Sequence, residues 1–272
     1  MISKKILKIP IINKLIFSIL DIQDAIDTLY SRFDVTDELY EKFQNEKISN
    51  TYLDIFKKKN PLVSVCIATY NRSELLVNRC IKSILNQDYE NIEVIVVGDC
   101  CTDDTEALIK QIRDKRLHFY NLPERGAYPE DPTLRWMVAG TKPTNQALKI
   151  ANGDFITHLD DDDEHLPNRI IKLVHFIQQH EMDFVWHPFW RENKNGKWEL
   201  NTSYHFRRNE VTTSSSFYHK WLKQIPWDIK AYRYNEPGDW NRFRKLKYLG
   251  AKTARFPEPL LKHYKEKNVS AT

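Results

Sequence analysis

The pattern of apolar and polar residues changes along the chain, and residues 61–160 show the clearest periodicity. Four apolar runs of strand length alternate there with segments of helical periodicity. The predicted strands are 63–68, 92–97, 117–120 and 155–159, and the predicted helices are 74–86, 103–112 and 144–151. This alternation predicts an α/β fold with a mainly parallel sheet and helices on both faces. Functional side chains are then expected just beyond the carboxyl ends of the strands.

The pattern is less regular in the remainder of the chain. Residues 123–143 contain Pro and Gly and predict no regular element. Further elements are predicted beyond residue 165: a helix over 167–180, an antiparallel pair formed by 184–190 and 197–200, and a final helix over 239–249. We expect this part to extend the same sheet and to build one wall of the site.

Residues 1–60 differ from the segment that follows them. The first twenty positions carry Lys4, Lys5, Lys8 and Lys14, contain no acid, and have Ile or Leu at most other places. Residues 20–56 show helical periodicity. Two interpretations remain open. The segment is either an extra helix that packs on the main domain or self-associates into a homo-oligomer, or a basic amphipathic segment that contacts an anionic membrane surface through residues 1–20.

Composition excludes several protein classes. None of the seven glycines forms a G-x-G arrangement, which excludes the dinucleotide fingerprint and the phosphate-binding loop. No apolar run approaches the roughly 20 residues that span a bilayer, and Pro10 and Lys14 interrupt the stretch that a secretory signal needs. The four cysteines lack metal-ligand spacing, so we expect free thiols in a reducing compartment. The expected location is the cytoplasm, either free or peripheral on the inner face of the membrane.

Charge is distributed unevenly around a net value of +4. Residues 61–200 contain 16 basic and 22 acidic side chains, whereas residues 201–272 contain 15 basic and 6 acidic ones. A protein that coats nucleic acid seldom has an acidic centre, so no nucleic-acid partner is expected. The distribution suits an enzyme that holds a metal ion in its acidic half and an anionic partner near its basic end.

Five consecutive carboxylates directly follow the predicted strand 155–159, at residues 160–164. Adjacent like charges repel each other, and a divalent cation with oxygen ligands is the usual reason for such crowding. Mg²⁺ or Mn²⁺ bound in this way also bridges substrate phosphates. A solvated acidic turn is the alternative. An EF-hand is excluded because the Gly at the sixth position and the Glu at the twelfth are absent.

Two more polar clusters follow the first and second predicted strands. The first is Thr69-Tyr70-Asn71-Arg72, where Tyr70 can stack on a flat ring and Arg72 can meet a phosphate. The second covers residues 98–105, where the carboxylate of Asp99 can accept a hydrogen bond from a base N–H. Each cluster alone can be explained as a helix cap. Three clusters at successive strand ends favour a common binding site.

Several motifs, in this order, resemble those of the family 2 glycosyltransferases, which are inverting enzymes of the GT-A fold that use nucleotide-activated sugars. The motifs are 61–67, 69–72, 94–99, 102–105, Asn145-Gln146-Ala147, and 159–163 followed by Pro167. The resemblance runs from about residue 61 to about residue 265. It implies a Rossmann-like central sheet flanked by helices, a sugar donor that is usually UDP-linked, a Mn²⁺ or Mg²⁺ ion, and direct displacement at the anomeric carbon.

The resemblance also assigns roles to individual donor-side residues. Thr69 and Tyr70 would line the uracil and ribose pocket, with Asn71 and Arg72 close to it, and Asp99 would hold the base N3–H. Asn145 belongs to the same set of donor-binding residues. Asp160-Asp161-Asp162 matches the D-x-D element, which implies Asp160 and Asp161 near the ribose and Asp162 as the direct metal ligand. His263 lies where some GT-A enzymes supply a further metal ligand.

The acceptor side carries the expected general base. Asn235-Glu236-Pro237-Gly238-Asp239-Trp240-Asn241 resembles the carboxylate motif that this family places at the start of a late helix. Asp239 is therefore predicted to take the proton from the acceptor hydroxyl, with Glu236 as the second choice. Alternatively, Asp239 only caps the helix 239–249.

The sequence also departs from the family pattern at one place. Cys100 and Cys101 replace the small polar residues that usually follow the aspartate at the position of Asp99. This replacement can reshape the base pocket.

The sequence thus predicts three segments: a helical extension (1–60), a nucleotide-sugar-binding half (61–165), and an acceptor-binding half with a C-terminal segment (166–272). The expected partners are a nucleotide-sugar donor and a glycan or glycolipid acceptor, the latter matched in charge to the basic end. A nucleotidyltransferase of sugar phosphates and an inactive glycan-binding relative are the alternatives. The first would carry a Gly-rich phosphate loop, and the second would have lost the acid tract or the acceptor-side acid.

Overall fold

A computed structural model describes residues 10–265, with side chains from residue 19 onward. The helices are α1 (Pro10–Asp34), α2 (Asp37–Glu46), α3 (Asn50–Leu53), α4 (73–85), α5 (Thr105–Gln111), α6 (Pro132–Val138), α7 (Thr141–Ile150), α8 (Arg169–His180) and α9 (Gly238–Tyr248). The middle of α4, Leu76–Ile81, has π-helical hydrogen bonding. Short 3₁₀ segments cover Asp54–Lys57, Thr213–Ser215, Lys220–Gln224 and Ala231–Tyr234.

The strands form two sheets. They are β1 (Val63–Thr69), β2 (Ile92–Gly98), β3 (Leu117–Asn121), β4 (Phe155–His158), β5 (Glu164–His165), β6 (Phe184–Trp186), β7 (Phe189–Glu192), β8 (Trp198–Asn201), β9 (Ser216–His219), β10 (Thr253–Arg255) and β11 (Leu261–His263). The large sheet has the order β10-β6-β9-β4-β1-β2-β3, and the small sheet has the order β5-β11-β7-β8.

The predicted parallel core is confirmed. β1 pairs in parallel with β2 and β4, and β2 pairs in parallel with β3. β1 and β2 are almost continuously buried, as expected for strands covered on both faces. Because Thr69 lies opposite Gly98 in the register, the turns that follow β1, β2 and β4 meet at one edge of the sheet.

Several elements differ from the sequence-based expectation, and β5, β10 and β11 were not predicted at all. β9 was not predicted, since its Ser- and His-containing sequence does not show apolar strand character, yet it runs antiparallel between β4 and β6. The predicted strand 184–190 is two strands in different sheets, separated at His187-Pro188, because proline has no N–H for a ladder. Helix α6 lies within the stretch predicted to be irregular, capped by Asp131, whose side chain accepts from the Leu134 N–H at 2.9 Å. α7 begins at Thr141 rather than 144.

The small sheet determines where the C-terminal segment lies. β11 pairs antiparallel with β5, which directly follows the acid tract, and in parallel with β7. The pairing places Leu261 opposite His165 and Lys262 opposite Glu164. His263 is therefore carried to the acid tract by strand pairing, although it is distant in sequence.

Helix α1 packs on α9 through a buried polar interface. The Trp240 indole N–H donates to Asp27 at 3.1 Å, and Arg244 donates to Asp34 at 2.6 Å and to Ser31 at 3.2 Å. Arg244 is fully buried and also donates to Glu236 at 2.9 Å. The expectation of an extra helix packed on the main domain therefore holds for residues 19–34. The predicted membrane contact of residues 1–20 lies largely outside the described residues.

No helix within residues 10–265 has both the length and the apolar character needed to cross a bilayer.

We expect Arg244→Met to lower the free energy of unfolding by about 3–5 kcal/mol, because Glu236 would keep a buried carboxylate without its cationic partner. Urea denaturation followed by circular dichroism measures the change. The control is Arg32→Met, an exposed position on α1, where we expect a change within about 0.5 kcal/mol. A loss below about 1 kcal/mol for Arg244→Met would show that the ion network is not needed to hold α1.

Candidate active site

The turn after β1 is bonded directly to the acid tract after β4. The Thr69 hydroxyl donates to Asp161 at 2.7 Å, and Arg72 Nη1 lies 3.2 Å from Asp161 and 2.8 Å from Asp162. Burial raises the pKa of Asp161 to about 6, although the Arg72 charge opposes the rise. The structure thus brings together three of the residues predicted for the donor site and Asp162, which was predicted as a metal ligand.

A second group in the acid tract has the composition of a metal site. The ligand atoms of Asp160, Asp163 and His263 all lie within 4.8 Å of one another, and His263 Nδ1 is 2.8 Å from Asp163 Oδ2. Burial raises the pKa of Asp160 to about 8, with a further contribution from the charges of Asp163 and Asp162. Burial alone would lower the pKa of His263, but the Asp163 and Asp160 carboxylates raise it to about 9.

The ligand atoms of these three residues suit a divalent cation. Carboxylate oxygens suit Mg²⁺ and Mn²⁺, and an imidazole nitrogen is compatible with Mn²⁺. Of the two predicted metal ligands, His263 belongs to the group, whereas Asp162 is engaged by Arg72. Asp163 was not singled out by sequence, because four adjacent aspartates cannot be distinguished without knowing which way each side chain points.

The turn after β2 brings Asp99, the residue predicted to contact the base, close to the segment after β3. Asp99 is almost completely buried; its Oδ1 accepts the Gly126 N–H at 3.0 Å and its Oδ2 lies 3.9 Å from Arg125 Nε. The Arg125 guanidinium in turn lies 3.6 Å from the centre of the Tyr70 ring. Arg125 was missed by sequence reasoning, since the segment after β3 carried no motif. It covers the aromatic ring that was predicted to stack on the base.

Asn71 and Asn145 have structural contacts. Asn71 adopts a left-handed backbone conformation (φ 50°), and its side chain accepts the Thr102 N–H at 2.8 Å, which ties the first turn to the second. The side-chain amide of Asn145 donates from Nδ2 to the Trp227 carbonyl and accepts the Trp227 N–H at Oδ1, at 2.9 Å each. These contacts position the walls of the site, and the predicted donor contacts of both residues stay predictions.

Asp239 lies in the first turn of α9, and its Oδ1 accepts the Trp240 N–H at 2.7 Å. Burial raises the pKa of Asp239 to about 6, while the Trp240 and Thr213 amides and the Arg208 charge limit the rise. At neutral pH the group is therefore mostly ionised yet still basic, as a general base requires. Glu236, the second choice, is buried and bonded to Arg244 and Asn241, so its carboxylate is already occupied.

The 3₁₀ turn Thr213–Ser215 connects the acid tract with the start of α9. The Asp160 N–H donates to the Ser214 hydroxyl at 2.9 Å, and the Thr213 amide neighbours the Asp239 carboxylate. Buried Arg169 holds this turn by donating to the Ser214 carbonyl at 3.2 Å and to the Ser216 carbonyl at 3.1 Å. A run of Thr and Ser reads as an ordinary polar loop, so sequence reasoning did not identify this connection.

Comparison with solved structures identifies the fold. The chain superimposes on *S. aureus* TarS 1–349 in complex with UDP-GlcNAc with a TM-score of 0.57 at 23% sequence identity, covering 76% of this chain and 59% of that chain. It also matches the mannosyltransferase PcManGT from Pyrobaculum calidifontis in complex with GDP-Man and Mn²⁺, with a TM-score of 0.53 at 16% identity, covering 78% and 59% of the two chains. The predicted GT-A fold is confirmed.

The family follows from the sequence comparison. The model of glycosyl transferase family 2 matches residues 64–129 and 142–235, which is more than half of the chain, so this chain belongs to that family. It is 35% identical over 132 residues to the Escherichia coli protein WfaP, a UDP-Glc:alpha-D-GlcNAc-diphosphoundecaprenol beta-1,3-glucosyltransferase. That match covers 48% of this chain and 47% of WfaP, so the chain spans about half the length of this relative.

Proposed function

We propose that this protein is an inverting glycosyltransferase that moves a sugar from a nucleoside-diphosphate donor, with UDP as the nucleotide, to a hydroxyl group of a glycan or glycolipid. The observation that carries the proposal is the turn Thr213–Ser215, which contacts Asp160 on the donor side and neighbours Asp239 on the acceptor side. The same turn thereby connects Asp160, a proposed donor-site acid, with Asp239, the proposed base.

The donor half of the proposal rests on the three joined turns. The buried Asp99 carboxylate can accept the N–H of a uracil ring, and Tyr70 with Arg125 offers a flat surface beside it. We assign Asp161, which Thr69 and Arg72 hold in place, to the ribose. TarS, whose fold this chain shares, binds UDP-GlcNAc, which supports a uridine nucleotide here as well.

Asp160, Asp163 and His263 would hold the Mn²⁺ or Mg²⁺ ion. When bound, such an ion neutralises the charge that develops on the departing diphosphate. The residues of the chain then have two tasks. Arg72 and the acid tract hold the donor phosphates and ribose in place, and Asp239 accepts the proton from the acceptor hydroxyl.

Transfer itself is an in-line displacement. The acceptor oxygen attacks the anomeric carbon as its proton passes to Asp239, and the bond from that carbon to the diphosphate oxygen breaks. Attack from the face opposite the leaving group inverts the anomeric configuration. No covalent intermediate with the enzyme is needed, which agrees with a carboxylate acting as base rather than as nucleophile.

The proposed acceptor is a glycan or a glycolipid carrying negative charge. Residues 201–272 have an excess of nine basic side chains, and Arg208 lies close enough to Asp239 to lower its pKa. WfaP is named for a diphosphoundecaprenol-linked acceptor, which supports a lipid diphosphate. We therefore place the enzyme at the inner face of the membrane, with residues 1–20 contributing lysines to the contact.

A panel of nucleotide sugars tests the function. UDP-, GDP- and dTDP-linked sugars are added with Mn²⁺, and binding is followed by thermal shift and slow donor hydrolysis. We expect a stabilising shift and hydrolysis with UDP-sugars. Equal shifts with all nucleotides, or release of pyrophosphate from a sugar phosphate and a nucleoside triphosphate, would contradict the proposal.

We expect Asp99→Ala to weaken UDP binding by about 10- to 100-fold, which corresponds to the loss of a hydrogen bond with a charged partner of about 1.5–3 kcal/mol. Isothermal titration calorimetry with UDP and Mn²⁺ measures the change. Glu124→Ala is the matched control, because this nearby acid is exposed and its carboxylate pairs with Lys142 at the surface. If both variants bind UDP as the wild type does, Asp99 does not contact the base.

A further inference from the structure

Helix α1 carries a row of exposed apolar side chains. Its members lie three and four positions apart, are between 37% and 77% exposed, and are Ile19, Ile22, Ile26, Leu29 and Phe33. Because residues three and four apart share one face of a helix, the row forms a continuous stripe along the described part of α1. A stripe of this size on the outside of a folded protein indicates a contact surface.

Three of the four acids in the described part of α1 are bonded to other elements of the protein. Asp24 is paired with Arg207 and Lys247, Asp27 accepts from Trp240, and Asp34 is bonded to Arg244. In the described part of α1, the exposed charged residues are Asp21 and Arg32. The outward surface is therefore apolar and carries no net negative charge.

Exposed basic residues lie near the later residues of the stripe. Arg32 is exposed beside Phe33, and Lys230 and Arg233 are exposed in the segment whose Tyr234 packs on Tyr30 of α1 at a ring distance of 4.9 Å. Preceding the stripe in sequence, residues 1–18 add four lysines and no acid. An apolar stripe bordered by cations is complementary to a surface that is both apolar and anionic.

We propose that the outward stripe of α1, from Ile19 to Phe33, docks on an anionic phospholipid bilayer, with the apolar side chains entering the interface and the neighbouring cations meeting the headgroups. The inference deepens the proposed function, since it names the surface that brings the enzyme to a lipid-linked acceptor. α1 contacts α9 directly, so docking places the helix that carries Asp239 beside the lipid surface.

A second copy of the chain is the alternative binding partner of the α1 stripe, because apolar residues spaced three and four apart also suit a coiled coil. The positions that flank the stripe argue against it. Gln23 and Tyr30 lie on one side and Ala25 and Arg32 on the other, so the positions that directly flank the stripe carry no pair of opposite charges to align two helices. Tyr30 is also covered by Tyr234 of the same chain. The charge pattern favours the bilayer.

The test compares the full chain with the double variant Ile22→Glu/Phe33→Glu. Both positions are exposed, at 60% and 77%, so the fold is expected to survive. Proteins are sedimented at low salt with vesicles of equal parts phosphatidylglycerol and phosphatidylcholine. We expect the vesicle partition coefficient to fall at least tenfold in the double variant. The matched control Ile48→Glu, 72% exposed outside α1, should bind as the wild type does.

Hydrolysis of the UDP-sugar donor is measured on the same samples, and we expect it to be equal in all three proteins. If hydrolysis is absent in all of them, the proposed function fails while the docking result still stands. Wild-type binding by the double variant overturns the docking proposal. It is also overturned if vesicles bind none of the proteins and sedimentation shows a wild-type dimer that the double variant cannot form, because a second copy then occupies the stripe.

Discussion

Asp239→Asn is expected to lower the turnover number by roughly 10²-fold or more while leaving donor affinity close to that of the wild type. The amide has nearly the same shape and can still accept the Trp240 N–H, but it cannot take a proton from the acceptor. Steady-state transfer and calorimetric UDP binding measure the two quantities. A collapse of donor affinity with normal turnover at saturating donor would instead assign Asp239 to the nucleotide site.

The pH profile supplies an independent test of the same residue. Since burial raises the pKa of Asp239 to about 6, the base is ionised above this pH and protonated below it. Turnover of the wild type should therefore fall as the pH drops through about 6. The turnover of the Asp239→Asn variant should not show this fall at low pH. Glu236→Gln should still show it, because the Glu236 carboxylate is bonded to Arg244 and Asn241.

Asp163→Asn is expected to abolish Mn²⁺ binding and to lower transfer by at least 10²-fold, since stabilisation of a leaving diphosphate by a metal ion is worth several kcal/mol. Excess EDTA should have the same effect on the wild type. Mn²⁺ affinity is measured by electron paramagnetic resonance, separately from activity, and folding is checked by circular dichroism.

Asp162→Asn is the matched comparison for the metal assignment. Asp162 is bonded to Arg72 rather than grouped with His263, so this variant should retain most of its Mn²⁺ affinity. If Asp162→Asn loses Mn²⁺ and Asp163→Asn keeps it, the sequence-based assignment of Asp162 is right and the structural grouping is not the metal site. Full activity in EDTA would contradict both assignments.

The parallel core could be predicted from sequence because its strands are buried on both faces. β1, β2 and β4 are therefore continuous apolar runs, and the polar residues that follow them stand out. The same reasoning located Thr69, Asp99 and the acid tract at one edge of the sheet. Each of these residues directly follows a buried strand in sequence, and the ends of those strands lie side by side in the fold. The sequence pattern was therefore sufficient to predict that they meet.

Contacts between distant segments could not be predicted in this way. The Thr213–Ser215 turn is polar and unremarkable in sequence, and only the antiparallel insertion of β9 beside β4 brings Ser214 to Asp160. Arg125 reaches Tyr70 because two loops meet, not because of any local motif. Which aspartate faces His263 depends on the pairing of β11 with β5. Each of these contacts depends on how distant strands and loops pair in the folded protein. The spacing of apolar and polar residues along one sequence does not report that pairing.

The pairing of β11 with β5 also bears on how the site is assembled during synthesis. Asp163 and His263 are 100 positions apart, and every other described strand precedes β11 along the chain. The turns after β1, β2 and β4 can form while the ribosome is still translating residues 166–272. The Asp160–Asp163–His263 group cannot be completed until β11 has emerged. We therefore expect nascent chains to fold strands β1 to β4 before the Asp160–Asp163–His263 group is complete.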